Sequence, residues 1–270
     1  MELANANVGF VGAGNMAEAI LRGILRAGLV PAARIAAFDV TPTRCDLFRS
    51  LGADIVGNNQ ALAKRSDILI LAVKPQVLDA ALAEFSGAVS PGTLVVSICA
   101  GVTCARLERL LPASARVVRV MPNTPMLSGH GTSAVSAGTR ATPDDVETVK
   151  RVFASAGIAH EVAESLMDAV TGLSGSGPAY LFRFTEALEA AGVAAGLPAE
   201  IARLFAKNTV VGSAMLMAES SDVPAELRRK VTSPGGTTAA ALAQFDADHF
   251  NQAVERAVIA ARNRSRELAG

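Results

Sequence analysis

A mainly parallel, doubly wound α/β domain followed by an all-helical domain is the fold this sequence predicts, and three observations predict it. Short, near-continuous apolar runs alternate with helical patterns through the first part of the chain, as they do where a parallel sheet is covered on both faces. From about residue 165 the strand signal stops and long helical patterns take over. The chain's 270 residues also exceed the usual size of one domain. The expected division is therefore 1–164 and 165–270.

The elements follow in order. "NVGFV" (7–11) reads as a strand, and "NMAEAILRGILRAG" (15–28) as an amphipathic helix stopped by Gly28. "RIAAFD" (34–39) is a second strand, followed by the helix "PTRCDLFRSLG" (42–52). "DILILAV" (67–73), "TLVVSI" (93–98) and "ARVVRVM" (115–121) are further β-branched or aliphatic runs, and "DDVETVKRVFASAG" (144–157) gives one more helix. In the second part, 177–196 and 198–220 are long helical patterns, each with a proline near its first turn. The more polar 249–270 closes the chain as a third. The middle helix is apolar nearly all round (Ile201, Leu204, Phe205, Val210, Val211, Met215, Leu216, Met217), so it must be buried. A segment of about a hundred residues hides such a helix poorly alone, which predicts packing against a second copy.

Composition excludes several classes. Lys plus Arg and Asp plus Glu balance at 25 each, which argues against nucleic acid or an anionic membrane as partner. The start "MELANANVGF" has no basic, apolar signal-peptide pattern, and "ILILAV" is too short to span a bilayer. Three cysteines without a CxxC pair fit unpaired thiols in a reducing compartment, and three scattered histidines give no metal-ligand spacing. A soluble, cytoplasmic protein with no metal is expected.

"GAGNMA" joins the first strand to the first helix, with Gly12, Gly14 and the small Ala17 spaced as G-x-G-x-x-[GA]. In that context the glycines let the backbone approach a pyrophosphate, at which the helix N-terminus (Asn15, Met16) points its N–H groups. A Rossmann domain binding NADH or NADPH is the reading; a merely structural tight turn is the alternative. Asp39 ends the second strand about 20 residues on, where an acid accepts from a ribose 2′-hydroxyl. It can equally cap its own turn, and Thr41, Thr43 and Arg44 beside it can hold a 2′-phosphate. Asn59 either faces the same ribose or caps the next helix. The nicotinamide belongs at the carboxyl ends of the strands. Three loops fall there: Ala72, Val73, Lys74 and Pro75; Ala100 and Gly101; and Met121, Pro122 and Asn123.

"GAGNMAEAI", "LAVKPQ", "RVMPNTP", "TGLSGSGPAY" and "VTSPGGTTAAAL" occur here in that order. Together they resemble pyrroline-5-carboxylate reductase over nearly the whole chain, the last two motifs being the most specific. The resemblance implies a Rossmann domain, a helical dimerisation domain with the active site at their junction, NADPH or NADH as reductant, and homodimers that often assemble into decamers. It implies that the product is L-proline and the substrate 1-pyrroline-5-carboxylate. It also implies that Ser233, Gly235, Gly236, Thr237 and Thr238 bind substrate, with Thr238 nearest the ring nitrogen as the catalytic contact. Two departures stand out: "ESSDVPAELRRK" lacks the Gly and His often found before that loop, and Asp39 replaces a commonly neutral residue.

The loop has no acid or base, and the chemistry explains why none is required. A cyclic imine can arrive protonated, so the protein has only to orient the ring and anchor its carboxylate. Backbone N–H groups of "SPGGTT" at a helix start form an anion nest, to which Ser233 and Thr237 can add hydroxyls. A plain helix–helix turn is the alternative. Thr171, Ser174 and Ser176 shape the same site or simply permit close helix packing. Two rival readings remain open: a 3-hydroxyacid dehydrogenase using Lys207 beside Asn208 as acid/base, and a nucleotide sensor without turnover.

Overall fold

A computed structural model of the chain describes residues 2–269. Its elements run β1 (Val8–Val11), α1 (Asn15–Arg26), β2 (Ile35–Phe38), α2 (Pro42–Ser50), β3 (Asp54–Ile55) and α3 (Asn59–Arg65). There follow β4 (Ile68–Leu71), α4 (Leu78–Phe85), β5 (Leu94–Ser97), α5 (Cys104–Leu110), β6 (Arg116–Met121), β7 (Gly131–Ala137), α6 (Pro143–Ala154) and β8 (Gly157–Glu161). The remainder is helical: α7 (Met167–Val170), a π-helical turn (Thr171–Gly175), α8 (Gly177–Ala194), α9 (Ala199–Glu219), α10 (Pro224–Lys230), α11 (Thr237–Ala247) and α12 (Phe250–Ala269).

Among the described residues the strands form one eight-stranded sheet in the order β3-β2-β1-β4-β5-β6-β7-β8. The order reverses between β1 and β4, the switch point at which an open α/β sheet leaves a crevice for a ligand. Alternation along the strands feeds two cores. Phe10, Ile68, Ile70, Val96 and Val118 face one way with Ile20, Phe48 and Phe153; Leu69, Leu71, Val95 and Val117 face the other with Leu62, Leu82, Phe85 and Leu107. The sheet is thus covered by helices on both sides, as its apolar runs predict.

The far edge differs from the expectation of strand–helix alternation. β7 pairs antiparallel with β6, and β8 pairs parallel with β7. Neither strand carries an aliphatic run, because "GTSAVSA" and "GIAHE" are small or mixed, and so periodicity does not find them. Helix α6 is pinned beside this edge. Thr142 and Asp145 form a reciprocal capping box, and the buried Asp145 also pairs with Arg116 at the start of β6.

The chain resolves into two compact units, one holding the residues up to Ser176 together with the segment from Ala260 onward, the other Gly177–Ile259. In the first, the end of α12 returns: Ser265 Oγ donates to Asp168 Oδ1 at 2.7 Å, and Gly101 lies close to the Leu268 backbone. In the second, α8 and α9 pack through small residues, with Gly192 against the buried Ala202. Phe184, Phe245 and Phe250 cluster between α8, α11 and α12. The expected burial of α9 is not met within one chain. Leu204, Phe205, Met215 and Leu216 are 53–59% exposed, and Phe182 on α8 is 65% exposed.

Candidate active site

The glycine loop has the conformation its composition requires. Gly12 sits at φ +92°, and a Cβ there would stand 3.0 Å from the Ala72 carbonyl oxygen, so a side chain is excluded by both strain and space. Gly14 is different: its backbone is extended, and a Cβ would meet nothing within 4 Å. Its smallness is not demanded by the chain's own atoms; it keeps open the ground above the start of α1, where no side chain caps the helix. Ala17 is fully buried, Asn15 is exposed and Met16 half-buried. This cradle fits a pyrophosphate.

Asp39 is placed where the spacing predicts, just beyond β2, and both of its carboxylate oxygens take backbone N–H groups. Its Oδ2 accepts from the Ala13 N–H at 2.7 Å, and its Oδ1 accepts from the Thr41 N–H at 2.8 Å. It therefore caps its own turn while tying the glycine loop to β2. Arg44, a candidate phosphate ligand, is turned elsewhere: Nε donates to the Ala13 carbonyl at 2.6 Å and Nη2 to Glu18 Oε2 at 3.0 Å. Burial raises the Glu18 carboxyl pKa, but hydrogen bonds from Arg22 and Arg44 outweigh it and hold the group below its ordinary value.

Beside the glycine loop lies a cavity of about 310 Å³, lined by Val11, Gly12, Phe38, Asp39, Asn59 and Glu84 among others. Asn59 is buried and opens α3; it does not cap the helix, since Asn58 does so by accepting from the Ala61 N–H. Asn59 Nδ2 donates to Glu84 Oε2 at 3.2 Å.

Two of the three loops at the strand ends are tied to each other, and the third is held separately. Val73 lines the cavity and Lys74 is exposed. The Cys99 thiol donates to the Val73 carbonyl at 3.3 Å, linking the loop that holds Ala72, Val73 and Pro75 to the one that holds Ala100 and Gly101. Burial pushes the thiols up, Cys99 to about 11 and Cys104 to about 12, so neither is a nucleophile at neutral pH. The third loop is anchored by Asn123. Its Nδ2 donates to the Ser174 carbonyl at 3.1 Å and its Oδ1 accepts from the Thr132 N–H at 2.8 Å. The amide that the sequence suggested for the cofactor is thus engaged in holding Met121 and Pro122 against the π-turn. That turn leaves no mark in the sequence: "TGLSGSG" reads as small-residue packing, yet the Ser176 N–H reaches back to the Thr171 carbonyl at 2.8 Å. The Thr171 and Ser174 hydroxyls donate to carbonyls one turn earlier on their own helix.

In the second unit, "SPGGTT" joins α10 to α11. Gly235 adopts φ +68°, and Gly236 is the N-cap of α11, with no side chain capping the helix. The Gly236 N–H donates to the Ser233 carbonyl at 3.1 Å, closing the turn. Ser233 and Thr237 are exposed and Thr238 is half-buried on the first turn of α11. The loop is an uncapped helix start ringed by hydroxyls, suited to a carboxylate. Lys207 is exposed on α9, and Asn208 bonds back to the Leu204 carbonyl. Among the described residues no group of three His, Cys, Asp or Glu side chains could hold a metal ion, and no helix is long and apolar enough to cross a membrane.

Comparison with known proteins converges on one family. Residues 164–268 match the model described as pyrroline-5-carboxylate reductase dimerisation, and residues 7–101 match NADP oxidoreductase, coenzyme F420-dependent. The pyrroline-5-carboxylate reductase of Arabidopsis thaliana is 42% identical over 97% of this chain and 95% of its own length. A solved structure of a pyrroline-5-carboxylate reductase from Coxiella burnetii superposes with TM-score 0.92 at 33% identity, covering 98% of this chain and 99% of that one. The Plasmodium falciparum pyrroline carboxylate reductase, solved with NADP bound, superposes with TM-score 0.87 at 31% identity, covering 99% and 100%.

Proposed function

The chain belongs to the pyrroline-5-carboxylate reductase family, and from that membership we infer its reaction: reduction of 1-pyrroline-5-carboxylate to L-proline with NAD(P)H, the last step of proline biosynthesis. The observation that carries the reading is likeness over nearly the full length, which spans both the glycine loop and the "SPGGTT" helix start.

The bound dinucleotide supplies a hydride to the imine carbon as the C=N bond becomes C–N, and the proton already on the nitrogen completes the amine. We propose that the glycine loop (Gly12, Gly14, Asn15, Met16) seats the pyrophosphate, that Asp39 and Asn59 meet the adenosine ribose, and that the strand-end loops line the nicotinamide. The α11 start, with Ser233, Gly235, Gly236 and Thr237, holds the substrate carboxylate by uncapped N–H groups and hydroxyls. Thr238 donates to or accepts from the ring nitrogen and so fixes which face of the ring is exposed to the hydride. Ser176 completes the substrate contacts. The functional division proposed is 1–164 for the dinucleotide and 165–270 for substrate and self-association. It follows the family match, which begins at 164, whereas compactness divides the chain after Ser176.

The chain self-associates through its dimerisation domain. A homodimer is the proposed unit, and decamers of such dimers are the larger form the resemblance implies. Three free, buried thiols support a reducing compartment, the cytoplasm. The test is direct: purified protein with 1-pyrroline-5-carboxylate and either reduced cofactor forms proline, measured by amino-acid analysis. A folded protein that forms none with either cofactor refutes the reading. Thr238→Ala is expected to lower kcat/KM about 30- to 1,000-fold, the loss of one transition-state contact.

A further inference from the structure

We infer that the ribose end of the cofactor cavity is built to select the 2′-hydroxyl of NADH against the 2′-phosphate of NADPH, with Glu84 and Glu18 as the residues that set the choice. The inference rests on the reading that this cavity takes a nicotinamide dinucleotide.

The first observation is the orientation of Asn59. Its Nδ2 donates to Glu84 Oε2 at 3.2 Å, and an ionised carboxylate can only accept, so Glu84 fixes which end of the amide faces it. The carbonyl end is left over: Asn59 Oδ1 is buried and has no hydrogen-bond partner, on a residue that lines the cavity. A buried acceptor without a partner is costly and is satisfied by a donor. The 2′-hydroxyl of NADH is a donor, whereas the 2′-phosphate dianion that replaces it in NADPH offers only acceptors and leaves the 3′-hydroxyl as that ring's one donor.

The second observation is charge. Among the described residues, those lining the cavity include the carboxylates of Asp39 and Glu84 and no lysine or arginine. Two negative groups in a partly enclosed space disfavour a third carrying nearly two charges.

The third observation concerns the guanidinium of Arg44. Recognition of a 2′-phosphate in this fold calls on an arginine just beyond the second strand. Arg44 stands at that point, but its Nε and Nη2 are committed to the Ala13 carbonyl and to Glu18. Glu18 is itself only 17% exposed and also pairs with Arg22, so this carboxylate is fixed from two sides and competes directly with any phosphate for Arg44.

Titration of the protein with NAD+ and NADP+ by isothermal calorimetry tests this without turnover, and adenosine 2′,5′-bisphosphate against 5′-AMP isolates the ribose contact. Wild type is expected to bind NAD+ at least ~10-fold tighter than NADP+, the scale of one charge–charge contact of this kind. Glu84→Gln removes a charge and lets the Asn59 amide turn over; Glu18→Gln releases Arg44. Each is expected to tighten NADP+ by ~5-fold or more relative to NAD+, with the change in steady state falling on KM for NADPH rather than on kcat. A wild type that binds NADP+ as tightly as NAD+, or variants whose ratio does not move, overturns the inference. In those cases proline would still be formed, and the assigned reaction would stand. Binding of neither dinucleotide, with no proline formed, would instead overturn the reaction and this inference together. The wild-type ratio decides the matter even if a variant fails to fold.

Discussion

Asp39 stands just beyond β2 with one carboxylate oxygen on the Ala13 amide and the other on the Thr41 amide. A residue that the spacing marks as a ribose contact is therefore also a strut of the pyrophosphate loop, and the two duties cannot be separated by deleting the side chain. Asp39→Ala is expected to weaken NADH by about 1–3 kcal/mol, because the buried Ala13 N–H loses its acceptor, and NADPH by less, because a carboxylate that repels the 2′-phosphate is lost with it. Fluorescence titration of both cofactors checks this, and unchanged NADH affinity would remove the strut. The glycines of the loop are legible in the sequence because their local geometry requires them. Glu18 and Glu84 are not, because an acid on an amphipathic helix reads as solvent-facing surface. Their partners Arg44 and Asn59 lie 26 and 25 residues away in the chain.

At the scale of elements, the antiparallel β6–β7 pair and the start of α6 form one joint. Asp145 is 3% exposed, closes the capping box with Thr142 and pairs with Arg116. Arg116 is more open to water, so removing the acid strands a guanidinium that is partly solvated. Asp145→Ala is expected to cost about 2–3 kcal/mol, the lost half of the capping box that accepts from the Thr142 N–H plus a lost charge-assisted bond. Urea denaturation should show a lower midpoint with an unchanged slope; a midpoint within error of wild type would mean that the joint does not contribute. The capping box itself, "TPDD", can be read locally. The Arg116 partnership cannot, since it depends on β6 arriving next to α6. The π-turn is hidden for a related reason: an i→i+5 bond leaves no mark in the hydrophobic period, and only the Asn123 contact to the Ser174 carbonyl reveals what it serves.

On the scale of the whole molecule, α8 and α9 expose Leu181, Phe182, Leu204, Phe205, Met215 and Leu216. Such a set of large side chains is what an interface between copies presents before it is covered. The helix's own neighbours bury only Ala202 and Ala206 among the described residues of α9, and the match to a dimerisation domain makes a second copy the expected cover for the rest. Phe205→Glu, placing a charge on this face, is expected to lower the mass measured by multi-angle light scattering toward that of one chain, with helix content kept in circular dichroism. An undiminished mass would place the interface elsewhere.

The sequence alone determined the alternating architecture, the glycine cradle and the turn and helix start at "SPGGTT", because each is written in residues close together: a period of two or 3.6, a G-x-G-x-x-[GA] spacing, a turn before a helix. Tertiary structure decided which way each polar group faces. Whether Asp39 props a loop, whether Asn59 offers its carbonyl or its amide, and whether Arg44 is available to a phosphate all depend on partners brought in from distant parts of the chain. Hydrogen-bond donors and acceptors carry no periodicity, so their pairing exists only once the sheet and its helices have closed around them.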